Sequence, residues 1–337
     1  MFARGETGKG GGTKQGLVNA SADFTASDGG AAAIALLNTA KNGAESSVWN
    51  GNTKTLTLKG VSFATTATTA VKLPDGATVI LADGTENRVI GGGATAVQDG
   101  KHTNKIYVYG IYAAGALTVR GETDGTGKLF VNSGEHINSG NAWTYSAALY
   151  ADGDLTVKGG AVTAQGGRTS STDCAFSLGI QLSEGHSLSV SGGTLTGIGG
   201  ESCDTEDQND ITESFSEGID IYRGNVTVSG SGKLLAENVS DMAGGDLSFG
   251  LLISFGNLYV SGSAALTATS YTAIEINGGD IRLSGGRISA SETTIYGDAV
   301  SVGRNDYYNA GNGNIEITGG ELACVGNLRV RAPETDG

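Results

Sequence analysis

The sequence predicts an all-β fold: a right-handed parallel β-helix, a solenoid of three short strands per coil, closed by a short N-terminal helical cap. Three observations carry this. One phrase, "DLTVKGGAVTAQGG" from Asp154 to Gly167, returns as "SLSVSGGTLTGIGG", "NVTVSGSGKLLAEN", "NLYVSGSAALTATS", "DIRLSGGRISASET" and "NIEITGGELACVGN". Within each phrase aliphatic residues alternate with polar ones, the period of a strand. The chain of 337 residues holds 57 glycines and only 2 prolines, with no G-X-Y period, so the glycine excess belongs to turns and not to a collagen.

Aligned on the first aliphatic residue, the phrases begin at Leu117, Leu155, Leu188, Val226, Leu258, Ile281 and Ile315, with steps of 38, 33, 38, 32, 23 and 34 residues. A constant phrase with uneven steps describes a fixed coil that carries loops of variable length, and the shortest step sets the bare coil. A third aliphatic run precedes the phrase, as in "GIDIYRGN", "GLLISFGN", "TAIEINGGD" and "DAVSVGRN". Ile219 and Ile221 match Leu251 and Ile253, then Ile274 and Ile276. Three strands in so short a repeat stack each strand on its own copy in the next coil, in parallel and roughly 4.8 Å away.

The glycine pairs Gly159-Gly160, Gly192-Gly193, Gly285-Gly286 and Gly319-Gly320 fall at the turn between two strands, where positive φ is cheap for glycine alone. Asp154, Asn225, Asn257, Asp280 and Asn314 precede the phrase, and the expectation is that each bonds its own backbone at a corner. The segment "SDGGAAAIALLNTAKNG" reads as the capping helix, begun by Ser27 or Asp28, with Ile34, Leu36 and Leu37 on its apolar side and Gly43 at its end. "TKTLTLKGVSFA" and "ATVILADGTENRVIGG" read as early, less regular coils. The domain organisation that follows is a tail and cap over 1–50, the β-helix over 51–325 and a tail or linker over 326–337.

From about Tyr109 to Cys324 the phrases resemble the glycine-rich β-helical carbohydrate-binding domains of bacterial cell-surface and secreted proteins, and "ALYADGDLTVKGGAVTA" is most similar in cadence. The resemblance implies the pectin-lyase-like β-helical fold, polysaccharide ligands of plant or cell-wall type and, in some members, bound calcium. It transfers no ligand residue, because no motif here marks one.

With 21 Lys and Arg against 35 Asp and Glu, the net charge of −14 opposes nucleic-acid binding, which needs a basic footprint. No apolar run approaches the roughly 18 residues of a membrane span. Three cysteines form no disulfide framework; Cys174 and Cys203 fall in successive loops where they could face one another, and Cys324 fills an inward slot held elsewhere by Ala164, Gly197, Ala236, Ala268 and Ala290. The start, "MFARGETGKGGGTKQG", shows no apolar signal region, and "VRAPETDG" reads like a cut through a linker, so a secreted or surface location is an expectation.

No catalytic signature emerges. None of His102, His136 and His186 lies in a Gly-His-Gly turn, and the outward row Thr156, Ser189, Thr227, Tyr259, Arg282 and Glu316 lacks the grouped acids and base of a calcium-dependent lyase. Arg282 beside Glu316 reads as a cross-strand ion pair. The acidic run "GESCDTEDQNDITESFSEG" offers Glu201, Asp204, Glu206, Asp207, Asp210 and Glu213, enough oxygens for calcium but without EF-hand spacing, so a solvated loop is its competing reading. Aromatic residues are read in loops, and the pairs Trp143 with Tyr145 and Tyr307 with Tyr308 are the candidate sugar-stacking surfaces. The expectation is a monomeric, non-enzymatic module that binds a polysaccharide or host glycan, ahead of a structural stalk or protein-binding adhesin and of a polysaccharide lyase or hydrolase.

Overall fold

A computed structural model of the chain describes residues 18–41, 45–92, 105–123, 125–137, 143–171, 174–204, 214–238, 247–294, 297–303 and 313–330. Among these the protein is almost entirely β, with one short helix, and nearly all of its strand pairs are parallel. The exception is Val48–Asn50, antiparallel to Thr55–Leu58.

The phrase ladder holds throughout. Leu117 pairs with Leu155, Leu155 with Leu188, then Val226, Leu258, Ile281 and Ile315 follow, each on the adjacent strand. All but Ile315 are essentially sealed from solvent, and each such side chain contributes roughly 1.5–3 kcal/mol of burial. Ile315 is half-buried because its strand is the last of its row. The small slot also stacks as expected, Ala164 on Gly197, Ala236, Ala268, Ala290 and Cys324. Outside, the Arg282 guanidinium lies 3.7 Å from the Glu316 carboxylate. At the turns the second glycine of a pair takes positive φ, 78° at Gly160 and 72° at Gly193.

Two local expectations are corrected. The Asp and Asn before each phrase do not bond their own backbone; they bond the next repeat. The Asn225 Oδ1 accepts from the Asn257 amide at 2.9 Å, the Asn257 Oδ1 from the Asp280 amide at 3.0 Å, and the Asp280 Oδ1 from the Asn314 amide at 3.0 Å. The left-handed corner residue sits two positions earlier, at Arg223, Phe255 and Gly278. The helix, Ala31–Thr39, buries Ala33 and Leu37, while Ile34 and Leu36 only lean on the core. Asp28 caps it from upstream, accepting from the Gly30 and Ala32 amides at 2.9 and 2.8 Å. Gly43 lies outside the described residues.

A ten-stranded, wholly parallel sheet forms from the third run of each repeat, beginning at Ala22–Asp23 and ending at Leu328–Val330. Its central strands are longer than the sequence run suggests: Lys105–Ala113, Trp143–Ala151, Cys174–Leu182 and Ser214–Tyr222. In each, the pairing steps over one small residue, namely Gly110, Ala148, Gly179 and Gly218. A side chain there meets the backbone of the sheet behind: a Cβ on Gly218 would stand 2.7 Å from the Glu237 carbonyl oxygen. This break in alternation, here called the bulge although no strand gains a residue, is shared by the four strands; it buries two consecutive residues, Gly218 and Ile219 for one, so outward residues on either side of it approach one another. The Tyr109 and Tyr112 rings, three residues apart, accordingly touch with centroids 5.5 Å apart.

Candidate functional site

The bent outer face of this sheet gathers most of the aromatic residues among those described. Trp143 and Tyr145 lie on its strand Trp143–Ala151, not in a loop, which corrects the sequence reading. Alternation hid this, because the upstream half of each strand lacks the aliphatic pattern that marks the downstream half. Tyr145 is one rung of a ladder. Tyr107, Tyr145, Phe176 and Phe215 occupy one register position on four adjacent strands. Successive ring centroids lie 5.2, 4.4 and 4.7 Å apart, with planes 18°, 6° and 3° from parallel. Sequence reasoning missed Tyr107, Phe176 and Phe215; the signal was an aromatic residue three positions ahead of the small bulge residue in each repeat.

The upstream half-strand is held from behind by a row of buried serines. Ser146 donates to Ser133 Oγ, Ser177 to the Gly167 carbonyl and Ser216 to the Gly200 carbonyl, each at 2.6 Å. With these hydroxyls satisfied in the interior, the alternate residues Tyr145, Phe176 and Phe215 must project outward.

Stacking within the ladder occupies the faces of its inner rings and leaves their edges to solvent. The free faces are at its border. Tyr107 is 45% exposed, and Trp143, tilted about 40° from Tyr145 and Phe176, is 40% exposed with the Lys105 ammonium 5.4 Å from its ring centroid. Beyond the bulge a second aromatic group continues the face: Tyr109, Tyr112 and Tyr150 pack together, and the Asp152 carboxylate accepts from the Tyr112 and Tyr150 hydroxyls at 2.5 and 3.0 Å. That bond and burial push the Tyr112 phenol up to about 12.

Following the ladder to Phe215, the same strand carries Glu217 and Asp220 on either side of the bulge. Glu217 occupies the row of Leu178 and Phe249 and is 5% exposed; Asp220 occupies the row of Tyr150 and Gln181 and is half-buried. Asp220 accepts from the Gln181 amide at 3.0 Å. Glu217 has no hydrogen bond or ion pair among the described residues. Burial pushes both carboxyls up. Glu217 rises well above the usual carboxylate range, with the Asp220 charge adding to the effect, and Asp220 rises to about 6 against the pull of the Gln181 bond.

The other candidates fall elsewhere. Tyr307 and Tyr308 lie outside the described residues, as do Glu206, Asp207, Asp210 and Glu213. Glu201 is exposed, with its carboxylate 3.5 Å from the Arg168 guanidinium, and Asp204 ends the strand Ser202–Asp204. Among the described residues no group of three or more His, Cys, Asp or Glu is placed to hold a metal ion. Cys174 is the strand neighbour of Trp143, while the Cys203 side chain, and with it the pairing of the two, is outside the described set. His136 is buried in a small three-stranded sheet, where burial pushes its imidazole down; His186 stands 3.5 Å from Asp154 at a corner, and His102 is outside the described residues. No described helix is long and apolar enough to cross a membrane. The chain matches no protein-family model, no curated protein and no solved structure.

Proposed function

We propose that this chain is a secreted or surface-displayed polysaccharide-binding module, built as a right-handed parallel β-helix, whose ligand lies along the bent outer face of the ten-stranded sheet. The observation that carries the reading is the placement of Trp143. Its ring stands 40% exposed on a strand, against Tyr145 and Phe176 on the same face. Exposed aromatic faces next to polar groups suit the apolar faces and hydroxyl rims of sugars. The tyrosine hydroxyls, Gln181 and Asp220 supply hydrogen-bonding partners further along the same face. The likeness of the repeat phrases to glycine-rich carbohydrate-binding β-helices supports the same ligand class.

Self-stacking of Phe176 on Phe215 favours one rival, a purely structural stalk, since rings whose faces are occupied contribute stability without a ligand. Affinity electrophoresis separates the two. The gels carry uncharged (dextran, galactomannan, xyloglucan), acidic (polygalacturonate, alginate) or cationic (chitosan) polymers, each run with and without a calcium chelator. The binding reading expects retardation on at least one polymer, unchanged by chelator and clearly weakened in Trp143→Ala. Migration indifferent to every polymer supports the stalk. Retardation lost with chelator, and in Asp204→Ala, moves the ligand to a calcium bridge at the acidic loop.

A further inference from the structure

The geometry points to a second role for this outer face: Glu217 and Asp220 form an acid–base pair that hydrolyses a glycosidic bond of the polysaccharide seated on it. This rests on the outer face being the polysaccharide site, and it departs from the non-enzymatic expectation of the sequence. Four features place the pair. Glu217 and Asp220 flank the bulge at Gly218, where the strand bend turns outward positions toward each other. Glu217 follows Phe215 by two residues on one side of the strand, so it stands roughly 7 Å along from the last ring of the ladder. The carboxyls therefore lie beside the ladder's Phe215 end, displaced along the strand, on the same outer face as Trp143. Glu217 is also nineteen-twentieths buried and has no hydrogen bond or ion pair among the described residues.

A stability role does not account for Glu217. Between its immediate row neighbours Leu178 and Phe249, both apolar, an unpaired carboxyl costs stability, and an apolar residue would serve that position better. The environments of the two groups differ in the sense that acid–base catalysis needs. Glu217 is desolvated and holds its proton; Asp220, with solvent contact and the Gln181 hydrogen bond, is the one that ionises. The raised carboxyl of Glu217 and the lower one of Asp220, at about 6, agree with that division at neutral pH.

The step balances with water as the only co-reactant. Glu217 gives its proton to the glycosidic oxygen, and the bond from that oxygen to the anomeric carbon breaks with its electron pair leaving on oxygen. Asp220 takes a proton from a water molecule whose oxygen bonds to the anomeric carbon. One water is consumed, one reducing end appears, and proton return from Asp220 to Glu217 restores the pair.

The test uses the full chain and the polymers of the affinity gels, with retention and release of reducing ends measured on the same preparations. Wild type is expected to cleave a polymer that retards it. Its rate should rise with pH through about 6, as Asp220 ionises, and fall at higher pH as Glu217 loses its proton. Glu217→Gln and Asp220→Asn should each lower the rate, measured at saturating polymer, by roughly 10²-fold or more. Because wild type is itself assayed, a variant that failed to fold would not rescue the proposal. Retardation without new reducing ends overturns the acid–base pair and leaves the binding reading standing. Absence of both overturns the binding face and the pair together. Cleavage that survives in either variant within tenfold of wild type overturns the pair as the catalyst.

Discussion

The rings of Tyr145 and Phe176 lie face to face across two adjacent parallel strands, their centroids 4.4 Å apart and their planes 6° from parallel. The spacing is close to the roughly 4.8 Å between strands, so the sheet itself sets the stack, and each further aromatic residue in the same register extends it with its backbone already ordered. What the stack shares with the rest of the face decides what it does.

Trp143→Ala and Phe176→Ala separate ligand contact from ladder stability. Trp143, half out in solvent, should affect polysaccharide retention by about 0.5–1.5 kcal/mol beyond its buried area and hardly move the urea midpoint. Phe176, stacked on both sides, should lower the urea midpoint more than Trp143 does. Equal effects of the two on both measurements would contradict this assignment.

Asn257→Ala should destabilise the chain by about 1–3 kcal/mol, because it removes the acceptor of the Asp280 amide and the donor to the Asn225 Oδ1. Asn257→Asp keeps the acceptor, as Asp280 does for Asn314, and should cost less. Chemical denaturation of the two variants measures the difference; alanine matching wild type would mean that water replaces the ladder.

Two members of one row should respond in opposite ways. Cys324→Ala is expected to be nearly neutral, since Ala290 beside it already fills that slot with the smaller side chain. Gly197→Ala adds a Cβ that would meet the Gly218 carbonyl oxygen and the Ile219 Cγ1 at 2.5 Å, and should cost about 1–3 kcal/mol. Melting temperatures check both, and a neutral Gly197→Ala would show that the sheet behind can yield.

Glu217 and Asp220 make a pH prediction of definite sign. Both carboxyls titrate higher in the folded chain than in the unfolded one, so the folded state holds more protons between their unfolded values, near 4, and their folded ones. Their contribution to stability is therefore present below about pH 4 and is lost as pH rises, through about 6 for Asp220 and beyond that for Glu217. Glu217→Gln should gain on wild type as pH goes from 4 to 7.5. Urea midpoints at the two pH values read this directly; a variant that loses ground at high pH would show that Glu217 is stabilised as a carboxylate.

Much of this architecture is legible in the sequence because the repeat imposes identical demands at each turn of the pattern. Leu155, Leu188 and Val226 announce their shared row by position within a phrase, and Gly160 and Gly193 announce the turn through a backbone conformation other residues avoid. Parallel in-register stacking converts that one-dimensional regularity into rows, so the neighbours of Leu258 follow from the alignment alone. The aromatic outer face was hidden for the opposite reason. Its residues lie upstream of the aliphatic run, where alternation is between serine and ring, or serine and carboxylate, and the steps between repeats vary. Tyr145, Phe176, Phe215 and Glu217 then look like unrelated loop residues. Only the break in alternation at Ala148, Gly179 and Gly218, where the layer behind leaves room for little more than a hydrogen atom or a methyl group, puts Glu217 and Asp220, three residues apart, on the same side of the strand. A periodic pattern can specify which rows exist; which way a strand bends, and so which rows meet, is decided by close packing against the next layer.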